Sequence, residues 1–202
     1  MAFVDFLGAQ LFALAFAGSI ILYMALQGYL LIRKGKSPDE FVKAGAVPLI
    51  AIGLYMFISG IFGQLAWPLP GSYNVLFYEL YPFAGLLFMS IGVALYRRMK
   101  LQYVGFFAFL AGIMSIAYGA TGYSLGLTKE PLALLGLYVF FGVAGLLGWP
   151  ASVLLERASA ARRSKGAALP VLFWAFWILL LAGTFISFYI GLSAMAGHLA
   201  VA

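Results

Sequence analysis

Cysteine is absent from this chain, and histidine occurs once, at His198. No disulfide framework, iron–sulfur cluster or thiolate metal site can be built from such a sequence. One imidazole supplies neither bis-His haem ligation nor a multi-His metal centre. Charge is scarce as well: Asp, Glu, Lys and Arg make up 9% of the 202 residues, against about 25% in soluble proteins. The six acidic residues, Asp5, Asp39, Glu40, Glu79, Glu130 and Glu156, all fall at or near the ends of hydrophobic runs. That disfavours proton- or ion-coupled transport through carboxylates inside the membrane. No nucleophile elbow, Walker loop, dinucleotide fingerprint or HExxH occurs. The reading is therefore of no catalytic residue, no metal and no cofactor.

What the chain does have is apolar sequence. Hydrophobic residues make up 65% and the mean hydropathy is +1.05. Six runs stand out, roughly 6–32, 44–66, 75–96, 101–123, 132–155 and 168–192. Each has about 20 residues or more, enough at about 1.5 Å per residue to cross a hydrocarbon core of about 30 Å. Backbone in lipid must satisfy its own hydrogen bonds, and these runs are continuous rather than alternating, so they read as helices and not barrel strands. The first run is too long for the apolar segment of a signal peptide and is expected as the first span. The expected fold is an all-α integral membrane bundle of six helices forming a single domain over 1–202.

Eleven of the twelve basic residues fall in three connections. Arg33, Lys34, Lys36 and Lys43 lie in the first; Arg97, Arg98 and Lys100 in the second; Arg157, Arg162, Arg163 and Lys165 in the third. Lys129 alone sits opposite. Because basic loops are retained on the cytoplasmic side, loops 33–43, 97–100 and 156–167 are expected inside a cell membrane, with both termini and the 67–82 loop outside. The clusters read as topology determinants in preference to binding sites for anionic lipid headgroups. With no soluble domain behind them, they argue against nucleic acid.

Small residues recur every four positions at Ala9, Ala13 and Ala17, at Ala111, Ser115 and Gly119, and at Gly183, Ser187 and Gly191. Such rows let helices approach closely in lipid, within the chain or in a homo-oligomer or partner complex. The series Gly142, Gly145 and Gly148 steps by three and drifts around its helix. The second and third runs, and the fourth and fifth, each pair a Gly- and aromatic-rich helix with a Gly-spaced return, suggesting a weak parallel repeat.

The stretch WPLPGSYNVLFYELYP, residues 67–82, is the one long interruption without Lys or Arg. Pro68 and Pro70 stiffen it, and Leu69-Pro70-Gly71-Ser72 suits a type II turn with Gly71 at positive φ. Asn74 is expected to cap a helix beginning at Val75, which either runs on through Pro82 with a kink, the preferred reading, or is a short interfacial helix over 75–81 with the span starting near Pro82. Trp67, Tyr73, Tyr78 and Tyr81 fit an interfacial aromatic belt. Alternatively Tyr73, Asn74 and Glu79 share an outward pocket, with Gln64 on the preceding helix beside it; Gln64, Trp67, Tyr73, Asn74, Tyr78 and Glu79 are the candidate ligand or partner contacts. Scattered uncharged polar residues, among them Gln10, Gln27, Ser59, Ser90, Thr121 and Thr184, read as interhelical hydrogen bonds.

The run Pro68–Asn74, PLPGSYN, after a Gly-rich helix and before another span, resembles a family of prokaryotic, largely archaeal, multi-span membrane proteins of unknown function. The resemblance implies a multi-span protein with a distinctive external loop and brings no activity, cofactor or site residue. The expected function is non-catalytic: binding a lipid- or quinone-like molecule, or a partner subunit, at the outer face. An uncoupled channel or carrier for a neutral or apolar solute is the alternative. A lipid-modifying enzyme using Glu79 and Tyr73, with Glu130 as second group, ranks last.

Overall fold

The computed structural model describes residues 6–160 and 168–199, with side chains at 157–160, 168, 169 and 197–199 left aside. Seven helices follow one another: α1 Phe6–Arg33, α2 Asp39–Ala66, α3 Ser72–Tyr78, α4 Tyr81–Tyr96, α5 Gln102–Ser124, α6 Pro131–Ala160 and α7 Ala168–Leu199. There is no strand among the described residues. Six segments are long and apolar enough to cross a membrane, α3 and α4 together forming the third. Asp5, the Arg157 side chain, the basic residues at 162, 163 and 165, and the His198 side chain lie outside what is described.

Two antiparallel pairs are built on backbone contact. In the first, a Cβ on Gly53 of α2 would lie 2.5 Å from the Met89 nitrogen and 2.7 Å from the Gly85 carbonyl of α4. One on Gly85 would lie 2.5 Å from the Phe57 nitrogen. Gly60 and Gly92 repeat the arrangement against Pro82 and Ala46. In the second pair, Gly112 of α5 faces the Gly142 carbonyl of α6 at 2.5 Å and Gly145 faces the Ala108 carbonyl at 2.6 Å, measured in the same way. Gly53 and Gly60, Gly85 and Gly92, and Gly105, Gly112 and Gly119 are each seven apart, about two turns, so each returns to the same helix face. These are the most intimate packings in the molecule. They are also the two helix pairs in which the sequence suggests a repeat.

The remaining helices close a ring. α1 packs on α2 and α7, and α7 on α6, whereas α4 and α5 adjoin only loosely. Ser187 Oγ donates to the Leu11 carbonyl at 2.7 Å and Trp177 Nε1 to the Leu22 carbonyl at 3.1 Å, fixing α7 antiparallel to α1. The start of α1, the end of α7 and connections 67–71 and 125–130 share one end of the ring, here the loop end. Connections 34–38 and 97–101 share the basic end. Large apolar side chains such as Phe16, Leu54, Ile58, Phe62, Leu65 and Phe185 cover the outer surface, as expected of a body solvated by lipid.

The third span departs from expectation. Helix begins at Ser72, after Gly71 at φ 49°, so Asn74 lies inside α3 and caps nothing. A break at Glu79 and Leu80 replaces the preferred continuous kinked helix and matches the alternative of a short helix before a span starting near Pro82, which occupies the first turn of α4. A proline there cannot donate to the carbonyl four residues back and is better placed at a helix start than in its middle.

Candidate functional site

The 67–82 segment is a folded cap. Trp67 ends α2 in the left-handed region at φ 47°, its N–H donating to the Gly63 carbonyl at 3.1 Å. The following Pro68 disfavours the right-handed helical conformation there, which is why the helix stops. Asn74, 1% exposed, pins the returning chain. Its Oδ1 accepts from the Leu69 N–H at 3.2 Å and its Nδ2 donates to the Gly63 carbonyl at 3.2 Å. The Tyr78 ring lies directly over Gly63, where a Cβ would overlap it.

Gln64 answers the backbone defect made by Pro82. Lacking an N–H, Pro82 leaves the Tyr78 carbonyl without its helical donor, and Gln64 Nε2 donates to it at 3.0 Å, with the Glu79 carbonyl at 3.5 Å. Thus Gln64, Asn74, Tyr78 and the Glu79 backbone converge on the end of α2. The other candidates are dispersed: Tyr73 stacks on Phe77 at 6.3 Å, Trp67 is half exposed, and the Glu79 carboxylate accepts from the Tyr118 hydroxyl of α5. That last bond reaches across the loose α4–α5 seam.

Beneath this cap lies the feature that sequence reasoning missed. A central cavity of about 1560 Å³ runs the length of the bundle. At the loop end Leu7, Gln10, Phe77, Leu80, Tyr81 and Tyr138 line it. Midway come Leu14, Ile21, Leu87, Phe88, Ala111, Phe141 and Leu180; at the basic end come Tyr29, Arg33, Arg98, Lys100, Glu156 and Phe173. α3 covers the loop end, because Leu76 packs among Leu11, Leu134, Leu137 and Tyr138, and the Tyr138 hydroxyl donates to the Leu76 carbonyl at 2.6 Å. The seam between α4 and α5 forms one wall, each helix contributing a stripe of lining residues.

Polar atoms in the wall are few and mostly satisfied. Ser115 Oγ donates to the Tyr138 carbonyl at 2.7 Å and Ser152 Oγ to the Trp149 carbonyl at 2.8 Å. At the basic end Arg98 pairs with Asp39 at 3.2 Å, Glu156 accepts from the Gln102 N–H at 2.9 Å, and Arg33 lies over the Tyr29 ring at 6.0 Å. No group of three or more metal-ligating side chains exists among the described residues.

Ring, cap and cavity define a multi-pass, membrane-type helical protein with an apolar internal chamber. The chain belongs to the family described as proteins of unknown function (DUF981), which matches residues 1–201. Neither the curated proteins nor the solved structures gave a significant match.

Proposed function

We propose that this protein is a non-catalytic membrane protein that holds one long, mainly apolar, lipid-like molecule in the central cavity. The cavity's size and lining carry the reading. At about 1560 Å³ it exceeds the range of about 300–1,000 Å³ typical of small-ligand pockets. Left empty, the apolar part of its wall would forgo dispersion contacts along most of the bundle's length. Water is a poor filler for so apolar a wall. A chain-like occupant fits: from Gln10 to Arg33, α1 alone offers about 35 Å of wall at about 1.5 Å per residue.

The seam between α4 and α5 is the route in, since it faces the bilayer and is the loosest joint of the ring. The basic end faces the cytoplasm by the distribution of Lys and Arg, and the cap faces outward. An uncoupled pore is less favoured, because Ser115 and Ser152 both bond backbone carbonyls and no polar stripe crosses the chamber. The test is lipid extraction and mass spectrometry of protein purified in mild detergent. Ala25→Trp and Ala111→Trp, both on cavity-lining positions, are expected to abolish a co-purifying species that wild type and the outward-facing Leu110→Trp retain. Equal retention by all four proteins would sink the proposal, and a stoichiometric polypeptide in place of a lipid would make the protein a subunit of a complex.

A further inference from the structure

Gln10 is the one cavity-lining amide, and it is out of place. It lies on α1 among Leu7, Leu11 and Leu14, is 6% exposed, and its Nε2 has no hydrogen-bond partner. A buried amide with an unmet donor is costly in apolar surroundings, so it persists where something satisfies it. Of the other unmet groups among the described residues, Thr184 Oγ1 and Thr128 Oγ1 lie outside the cavity lining, Thr128 in the 125–130 connection. Thr184 Oγ1 packs against Gly18 between α7 and α1. The Tyr81 hydroxyl, also without a hydrogen bond, lies beside Ser59 of α2. Tyr138, which shares the loop end with Gln10, already donates to Leu76.

We infer that Gln10 is the hydrogen-bond donor to an uncharged carbonyl oxygen on the occupant, so that the molecule sits with a neutral, quinone-like head under α3 and its tail toward the basic end. This rests on the cavity reading and adds the chemistry of the head. A charged head is excluded at this end by desolvation. The charged residues in the wall, Arg33, Asp39, Arg98, Lys100 and Glu156, all belong to the basic end, so an ionic group under α3 would be buried without a counter-charge. A pure hydrocarbon would leave the amide unsatisfied. A carbonyl accepts from the amide and demands nothing in return, and the amide can turn about its terminal torsion to present its donors.

The probes are decyl-benzoquinone and decylbenzene, which share a tail and differ in the carbonyls, added to delipidated protein in detergent and followed by isothermal titration calorimetry. Wild type is expected to bind the quinone more tightly than the hydrocarbon. Gln10→Leu is expected to weaken quinone binding by about tenfold, the worth of one good hydrogen bond, while leaving decylbenzene unchanged. Because the variant removes an unpaired amide, ligand-free Gln10→Leu should melt at or above the wild-type temperature; Gln10→Met repeats the test with an unbranched side chain. Equal affinity of wild type and Gln10→Leu for the quinone would overturn the role of Gln10 and leave the cavity proposal standing. Failure of both probes to bind wild type would overturn both.

Discussion

If Gln64 exists to replace the hydrogen bond that Pro82 cannot make, its value must vanish when residue 82 regains an N–H. The perturbation is a double-mutant cycle of Gln64→Leu and Pro82→Ala. In wild type, Gln64 Nε2 donates to the Tyr78 carbonyl at 3.0 Å, and Tyr78 is 1% exposed. Removing the donor leaves a carbonyl unsatisfied, at a cost of about 1–3 kcal/mol. Pro82→Ala alone costs separately, because the proline ring packs on Gly60. It also supplies an amide four residues beyond Tyr78, where Glu79 and Leu80 already have right-handed helical dihedrals. In that background Gln64→Leu should cost no more than about 0.5 kcal/mol, giving a coupling of about 0.5–3 kcal/mol. The assay is denaturant titration in mixed micelles followed by circular dichroism for all four proteins. An equal cost of Gln64→Leu in both backgrounds would refute the reasoning.

Asn74→Ala is expected to destabilise by about 1–3 kcal/mol through two lost hydrogen bonds, and Asn74→Asp by more, since a buried carboxylate would face the Gly63 carbonyl that the amide now serves. The same titration checks the order, and an aspartate variant more stable than the alanine one would count against it. Tyr118→Phe should leave stability within about 1 kcal/mol of wild type, because its bond to Glu79 is exposed. It should nevertheless speed the entry of a fluorescent acyl probe, because that bond crosses the seam; stopped-flow loading at the wild-type rate would remove the seam as entrance.

Length and polarity of the helical runs were legible in the sequence because the bilayer imposes them directly: an apolar run must be long enough to cross and must hydrogen-bond to itself. That helices would close on small residues was legible too, because close contact requires them whatever the partner. The rows read in the sequence were spaced by four, however, whereas the pairs close on glycines seven apart such as Gly53 and Gly60 or Gly85 and Gly92. The special role of the 67–82 loop could be read from its prolines and Gly71, yet its details could not. Whether Pro82 kinks a helix or starts one depends on whether another segment can satisfy the Tyr78 carbonyl, and Gln64 does so from 14 residues away. Asn74 likewise reads as a cap locally and becomes a pin only when Gly63 and Leu69 are brought around it.

The cavity was invisible for a different reason. In a soluble protein the two faces of a helix differ in polarity, so periodicity separates inside from outside. Here lipid and chamber are both apolar, and Leu14 against the cavity and Phe16 against the bilayer look alike in sequence. Gln10 is the lining amide, but in the sequence it read, like Gln27 on the same helix, as an ordinary interhelical hydrogen bond. Composition by itself determined that the chain forms helices long and apolar enough to cross a membrane. The tertiary structure decided that those helices close a ring instead of filling their centre, because the glycines draw them together in two pairs and leave α4 and α5 loosely joined.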